Sequence, residues 1–118
     1  MSYYKMGKIE FQFATIIWEN APLRSSELAR LALDKLDWKK STTYTVLKKL
    51  ADRGLFKNDR GLVTCLISLD EYYSMQLQGI IDEGYEGSLP KFIAAFTKTK
   101  HYSDDEINDL VDQIKKME

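Results

Sequence analysis

Trp38-Lys39-Lys40-Ser41-Thr42-Thr43-Tyr44-Thr45-Val46-Leu47-Lys48-Lys49-Leu50-Ala51-Asp52-Arg53-Gly54 is the stretch on which the reading of this chain turns. Thr43, Val46, Leu47 and Leu50 recur at the i, i+3, i+4, i+7 spacing of a helix buried along one stripe. The opposite side carries Ser41, Tyr44, Thr45 and Lys48, flanked by Lys39, Lys40 and Lys49. No acid falls in the segment until Asp52. Hydroxyls and ammonium groups presented together suit a surface of phosphates and base edges. A solvated basic face is the plainer alternative. Gly54 reads as the C-terminal cap.

Working outward, a first helix is expected from Lys8 to Asn20, with Ile9, Phe13, Ile16 and Ile17 as its buried stripe. Asn20-Ala21-Pro22 breaks it. A second helix is expected from Ser25 to Lys35, with Ser25 and Ser26 as N-cap candidates and Leu28, Leu31 and Ala32 facing inward. Leu36-Asp37-Trp38 makes a short turn into the third helix, and Trp38 is read as packing rather than base readout. Beyond Gly54, Leu55–Asn58 and Leu62–Ser68 are strand-like, with Asp59-Arg60-Gly61 as a hairpin signal between them. Three helices and a hairpin make a winged helix-turn-helix, whose third helix enters the DNA major groove while the hairpin lies alongside. Lys57 and Arg60 occupy the positions from which such a wing presents cations.

The rest of the chain reads as helix. Asp70 to Glu83 carries Tyr73, Leu77, Ile80 and Ile81 on one stripe, and Gly84-Tyr85-Glu86-Gly87 interrupts it. A helix opening near Ser88, with Pro90 in its first turn, shows Leu89, Phe92, Ile93 and Phe96. Ser103-Asp104-Asp105-Glu106 matches a capping box, and the helix it opens shows Ile107, Leu110, Val111, Ile114 and Met117. So many apolar groups in so short a region call for a second surface. A second copy supplies it; folding back onto the first half is the alternative. The fold class is thus mainly α with a small β-hairpin. Residues 1–69 form a winged-helix DNA-binding domain and residues 70–118 a helical dimerisation region. Tyr73, Leu77, Ile81, Leu89, Phe92, Ile93, Phe96, Ile107, Leu110, Val111 and Ile114 are the expected dimer contacts.

Charge divides the chain in the same place. Residues 1–69 hold twelve Lys/Arg and seven Asp/Glu, a net +5; residues 70–118 hold five and eleven, a net −6. Polyanion binding therefore belongs to the first part. The 44% hydrophobic and 30% charged content fits a soluble globular protein. No apolar run approaches the ~18 residues of a membrane span, and the start lacks a signal-peptide core, so a cytoplasmic location is expected.

Enzyme chemistry has little to build on. His101 is the only histidine and Cys65 the only cysteine, which excludes an internal disulfide and a Cys-rich zinc cage. His101 lies in a polar Lys-Thr-Lys-His-Tyr segment, and Cys65 in an apolar strand. Phosphate-loop, His-Glu-x-x-His and Cys-x-x-Cys patterns are missing from the sequence. Asp104-Asp105-Glu106 is accounted for by capping and the helix dipole. No catalytic residue, cofactor or metal is expected.

The chain resembles the penicillinase-repressor type transcription factors, the BlaI/MecI/CopY family. Ile16-Ile17-Trp18 is similar to the end of the family's first helix, and Ser25-Ser26-Glu27-Leu28 to the start of its second. Trp38, Thr42, Thr45, Leu47, Leu50 and Gly54 fall on its recognition-helix pattern, and Gly87-Ser88-Leu89 on its C-terminal Gly-Ser-Leu. The resemblance implies a homodimeric repressor on a palindromic operator, controlling β-lactam-type antibiotic resistance or related genes. It also implies release by a sensor or protease, or by metal in the copper branch. The DNA-contacting set it points to, together with the residues above, is Lys40, Ser41, Thr42, Tyr44, Thr45, Lys48, Lys49, Lys57 and Arg60. Three places depart from the family. Ala95-Phe96 stands where its Asn-Phe cleavage pair falls, no Cys-x-Cys is present, and Thr64-Cys65-Leu66-Ile67 replaces the usual aromatic wing end. A winged-helix protein–protein module and a non-specific architectural DNA binder are the alternative functions.

Overall fold

The computed structural model describes residues 4–116; Met117 lies outside them. Helix α1 (Lys8–Asn20) is joined through a cis Ala21–Pro22 peptide to a two-residue strand, β1 (Leu23–Arg24). Helices α2 (Ser25–Leu36) and α3 (Lys40–Asp52) follow, then strands β2 (Phe56–Asp59) and β3 (Leu62–Cys65). Helices α4 (Leu69–Gly84), α5 (Leu89–Thr99) and α6 (Asp104–Lys116) complete the order. The expected architecture of a winged helix followed by helices is present, with one strand more than the sequence showed.

That extra strand completes an antiparallel sheet in the order β1-β3-β2, with Leu23 opposite Val63 and Phe56 opposite Cys65. The hairpin turn is Arg60-Gly61, with φ of 54° and 89°. Two successive positive φ values give the primed turn whose twist matches paired strands. Asn58 Oδ1 steadies it by accepting the Gly61 N–H at 3.0 Å. The strand expected to reach Ser68 ends at Cys65. Beyond it the Leu66 and Ile67 N–H groups both turn back to the Leu55 carbonyl, at 3.0 and 3.3 Å.

The core of this first unit is built where the apolar periods converge. Phe13 and Ile17 of α1, Leu28 of α2, Leu47 and Leu50 of α3, Phe56 of β2 and Val63 of β3 are all fully buried. Burying a side chain of this size contributes about 1.5–3 kcal/mol. Trp38 packs on Phe13 with ring centroids 4.9 Å apart, and Trp18 lies edge-on to Phe56 at 5.3 Å. The Trp18 indole N–H donates to the Ile67 carbonyl at 3.1 Å. Ile9, expected in the buried stripe, is 51% exposed. Met6, ahead of the helix, is buried there instead, its N–H donating to Tyr72 Oη at 2.9 Å. Likewise it is Tyr72 of α4 that packs on this core, while its neighbour Tyr73 stays 53% exposed.

The contacts of the chain divide it into two compact units between Leu77 and Gln78, within α4. In the second unit the Ser88 hydroxyl caps α5 by accepting the Lys91 N–H at 3.2 Å. Ser103 and Glu106 form the expected capping box of α6, each backbone N–H donating to the other's side chain at 3.1 Å. Tyr85, Phe92, Phe96 and Tyr102 make a row of rings with centroid spacings of 5.5, 5.7 and 5.8 Å. Among the described residues of α5 and α6 none is buried.

Candidate nucleic-acid interface

Helix α3 buries one side and offers the other. Thr43, Leu47 and Leu50 face the core, and Ser41, Thr42, Thr45 and Lys48 are exposed on the polar side. Tyr44 is half-buried, and its hydroxyl donates to Ser25 Oγ at 3.3 Å. The helix has no acid in its first turn and no side chain capping its start at Lys39. Its first backbone N–H groups therefore lie beside Lys39 and Lys40, a combination that favours anions. Its far end is closed by backbone. Gly54, at φ 84°, donates its N–H to the Ala51 carbonyl at 3.0 Å, and Leu55 donates to Leu50 at 3.1 Å. That paired pattern is a Schellman motif, and it turns the chain into β2.

Two other elements come to the same side. The N-cap of α2 is Arg24, one residue before the expected Ser caps, and it makes no side-chain capping hydrogen bond. Ser25 and Ser26 are thus the first residues of the helix rather than its caps, and the Ser25 N–H donates to the Gly61 carbonyl at 2.8 Å. The tip of the wing is thus fastened to the start of α2, and Tyr44 of α3 reaches the same serine. Lys57 and Arg60 are exposed on the hairpin.

The basic groups are not equivalent. Lys48 Nζ lies 3.2 Å from Asp52 Oδ2, but both side chains are about two-thirds exposed or more (77% and 67%), so the pair is weak and breaks easily. Lys49 is held differently. Its Nζ lies 2.8 Å from Glu10 Oε2 and 5.9 Å from the Tyr4 ring centroid. The bond from Lys49 holds the Glu10 carboxyl below its usual range, outweighing the opposing effect of partial burial. Tyr4 donates its hydroxyl to the same carboxylate at 2.9 Å, and its ring lies 4.6 Å from the Arg53 guanidinium. Burial, then the bond to Glu10, raises the Tyr4 phenol. The sequence reading set Lys49 among the DNA contacts and did not foresee this cluster. Its one signal was Glu10, three residues after Gly7, whose N–H it accepts at 3.1 Å.

Neither of the residues weighed for nucleophilic chemistry lies in a formed site. Cys65 is exposed at the end of β3, with its thiol raised by partial burial, and His101 is exposed after α5. Among the described residues no three His, Cys, Asp or Glu side chains converge as a metal site. No helix among them is long and apolar enough to cross a membrane.

The penicillinase repressor family model matches residues 6–116. The chain belongs to the penicillinase repressor family. The penicillinase repressor of Bacillus licheniformis is 21% identical over 110 residues, spanning 90% of this chain and 86% of that protein. Membership of a repressor family supports a role in transcription regulation.

Of the residues expected at a dimer interface, Tyr73 and Leu77 lie in the first unit, 53% and 39% exposed, and the others in the second. Leu89, Ile93, Phe96, Ile107, Leu110, Val111 and Ile114 are each between 38% and 53% exposed. Phe92, Phe96, Tyr102, Ile107 and Leu110 border a groove of about 420 Å³ between α5 and α6. Ile81 stands apart from this set at 4% exposure, already covered by its own chain. Ala95 and Phe96 lie within α5, inside regular helix.

Proposed function

We propose that this chain is a homodimeric transcriptional repressor that recognises a palindromic DNA operator. One observation carries the reading: α3 uses one side for the core and leaves Ser41, Thr42, Thr45 and Lys48 exposed on the other, with no acid before Asp52. On this reading Ser41, Tyr44 and Thr45 meet base edges, where hydroxyls bond donors or acceptors and a threonine methyl meets thymine. Thr42, Lys40 and Lys48 meet phosphates, as do Lys57 and Arg60 from the wing. Residues 1–69 form the DNA-binding head and 70–118 hold two copies together. The exposed apolar residues of α5 and α6 support that pairing, which sets two heads ~34–36 Å apart, one helical turn of DNA. The protein acts without catalysis or cofactor, in the cytoplasm, and yields to a sensor or protease that triggers release.

The test is a gel shift with duplexes selected from a random pool, challenged with excess unrelated DNA. A retained complex on a palindrome, at two chains per duplex, supports the proposal. Binding that ignores sequence replaces it with an architectural role, and failure to shift any duplex replaces it with a protein-binding one.

A further inference from the structure

Glu10 of α1 is an acid paired with a lysine of the proposed recognition helix. Its carboxylate accepts from Lys49, from Tyr4 Oη and from the Gly7 N–H, and its side chain is 21% exposed. Lys49 lies seven residues after Thr42 and four after Thr45, so helical spacing sets it in line with the proposed contact face. Its side chain is half exposed, yet its ammonium is turned to Glu10. From this geometry we infer that Glu10 limits the protein's sequence-independent affinity for DNA, because it withholds the Lys49 charge from DNA phosphate. The inference rests on the DNA-binding reading above.

Two anions compete for one cation. Each phosphate neutralised by a lysine adds affinity for every sequence alike and adds about 0.9 to the salt slope. With Lys49 held by Glu10, that sequence-independent increment is suppressed. Discrimination is left to Ser41, Tyr44 and Thr45. Tyr4 and Arg53 complete the clasp: the phenol donates to the carboxylate, and the guanidinium covers the ring at 4.6 Å. Glu10→Gln is the informative change, because its amide oxygen still accepts from Tyr4 and Gly7 while the charge that holds Lys49 is gone.

The experiment measures affinity for a selected palindrome and for a random duplex across about 50–200 mM salt. Wild type, Glu10→Gln, Lys49→Ala and the double variant are compared. Glu10→Gln is expected to steepen the slope on both duplexes by about 0.9, adding ~3-fold to the loss of affinity over that range. Because the increment is the same for every sequence, the palindrome-to-random ratio is expected to stay unchanged while both affinities rise at low salt. Lys49→Ala keeps the wild-type slope, and the double variant matches Lys49→Ala. A Glu10→Gln slope equal to wild type overturns the inference alone. So does a Lys49→Ala slope flattened by about 0.9, a result that does not depend on the Glu10 variant folding. Failure of wild type to bind any duplex overturns the DNA-binding reading, and this inference with it.

Discussion

The Tyr44 hydroxyl donates to Ser25 Oγ at 3.3 Å, across nineteen residues of sequence, so the outer face of α3 is registered against the first turn of α2. The bond is long and half exposed, and a hydroxyl pair of this kind adds at most about 0.5–1.5 kcal/mol to stability. Its value is orientation: it holds the phenol oxygen at the polar face instead of letting the ring swing. Tyr44→Phe is therefore expected to leave the urea midpoint nearly unchanged while reducing discrimination between operator and mismatched duplex by ~1–3 kcal/mol. Equal discrimination in both proteins removes Tyr44 from the reading set.

Lys48→Ala should weaken binding to all duplexes and flatten the salt slope by about 0.9. Folding stability should move by less than about 1 kcal/mol, because the pair with Asp52 is solvent-screened. Salt-titrated anisotropy beside thermal melting separates the two effects, and an unaltered slope discards Lys48 as a phosphate contact.

Gly54→Ala isolates a backbone cost. The residue sits at φ 84°, and a methyl group there meets no other atom within 4 Å. The only penalty is the left-handed conformation, about 1–2 kcal/mol for a residue with a side chain. Denaturant unfolding should show that loss with an unchanged m-value. A neutral result means the helix end can be rebuilt without the Schellman pattern.

Leu110→Asp and Phe92→Asp should each convert a dimer to a monomer in sedimentation, because pairing would bury an unpaired carboxylate. Leu110 is 49% exposed in the chain, so its variant is expected to fold. Two variants that sediment as dimers move the interface off α5 and α6.

Acid should open the clasp at Glu10. The Lys49 bond lowers the carboxyl's pKa on folding. Its contribution is therefore complete above the ordinary glutamate range and is lost as pH falls through the lowered folded-state value. Wild type should be more stable than Glu10→Gln near neutral pH, and the two should converge in acid below the ordinary glutamate range. A stability gap that does not close in acid assigns the difference to packing.

Helix limits were largely legible, because α1 and α3 combine a clear apolar period with a breaker: Pro22 after the first and Gly54 after the second. What sequence could not supply was what came from distant chain. The strand Leu23–Arg24 is too short to carry an alternating pattern and exists only because β3 pairs with it. Ser25 looks like a helix cap, yet its N–H is taken by Gly61, thirty-six residues on. Ile9 and Tyr73 satisfied the spacing of buried stripes, but Met6 and Tyr72 took the interior places by bonding to each other. Among the candidate contacts, Ser41, Thr42, Thr45 and Lys48 could be picked from helical phase alone. Lys49 shares that phase, but its pairing could not be read, since its partner Glu10 lies on another helix.

The 2.8 Å bond from Ser25 to the Gly61 carbonyl has a mechanical implication. A hairpin tied to a helix start travels as its passenger and has little freedom to hinge on its own. On the proposed reading, a duplex whose groove spacing is slightly wrong cannot be met by adjustment of the protein's tip. The misfit energy falls on the nucleic acid, so stiffness of base steps that no side chain touches becomes part of what is selected.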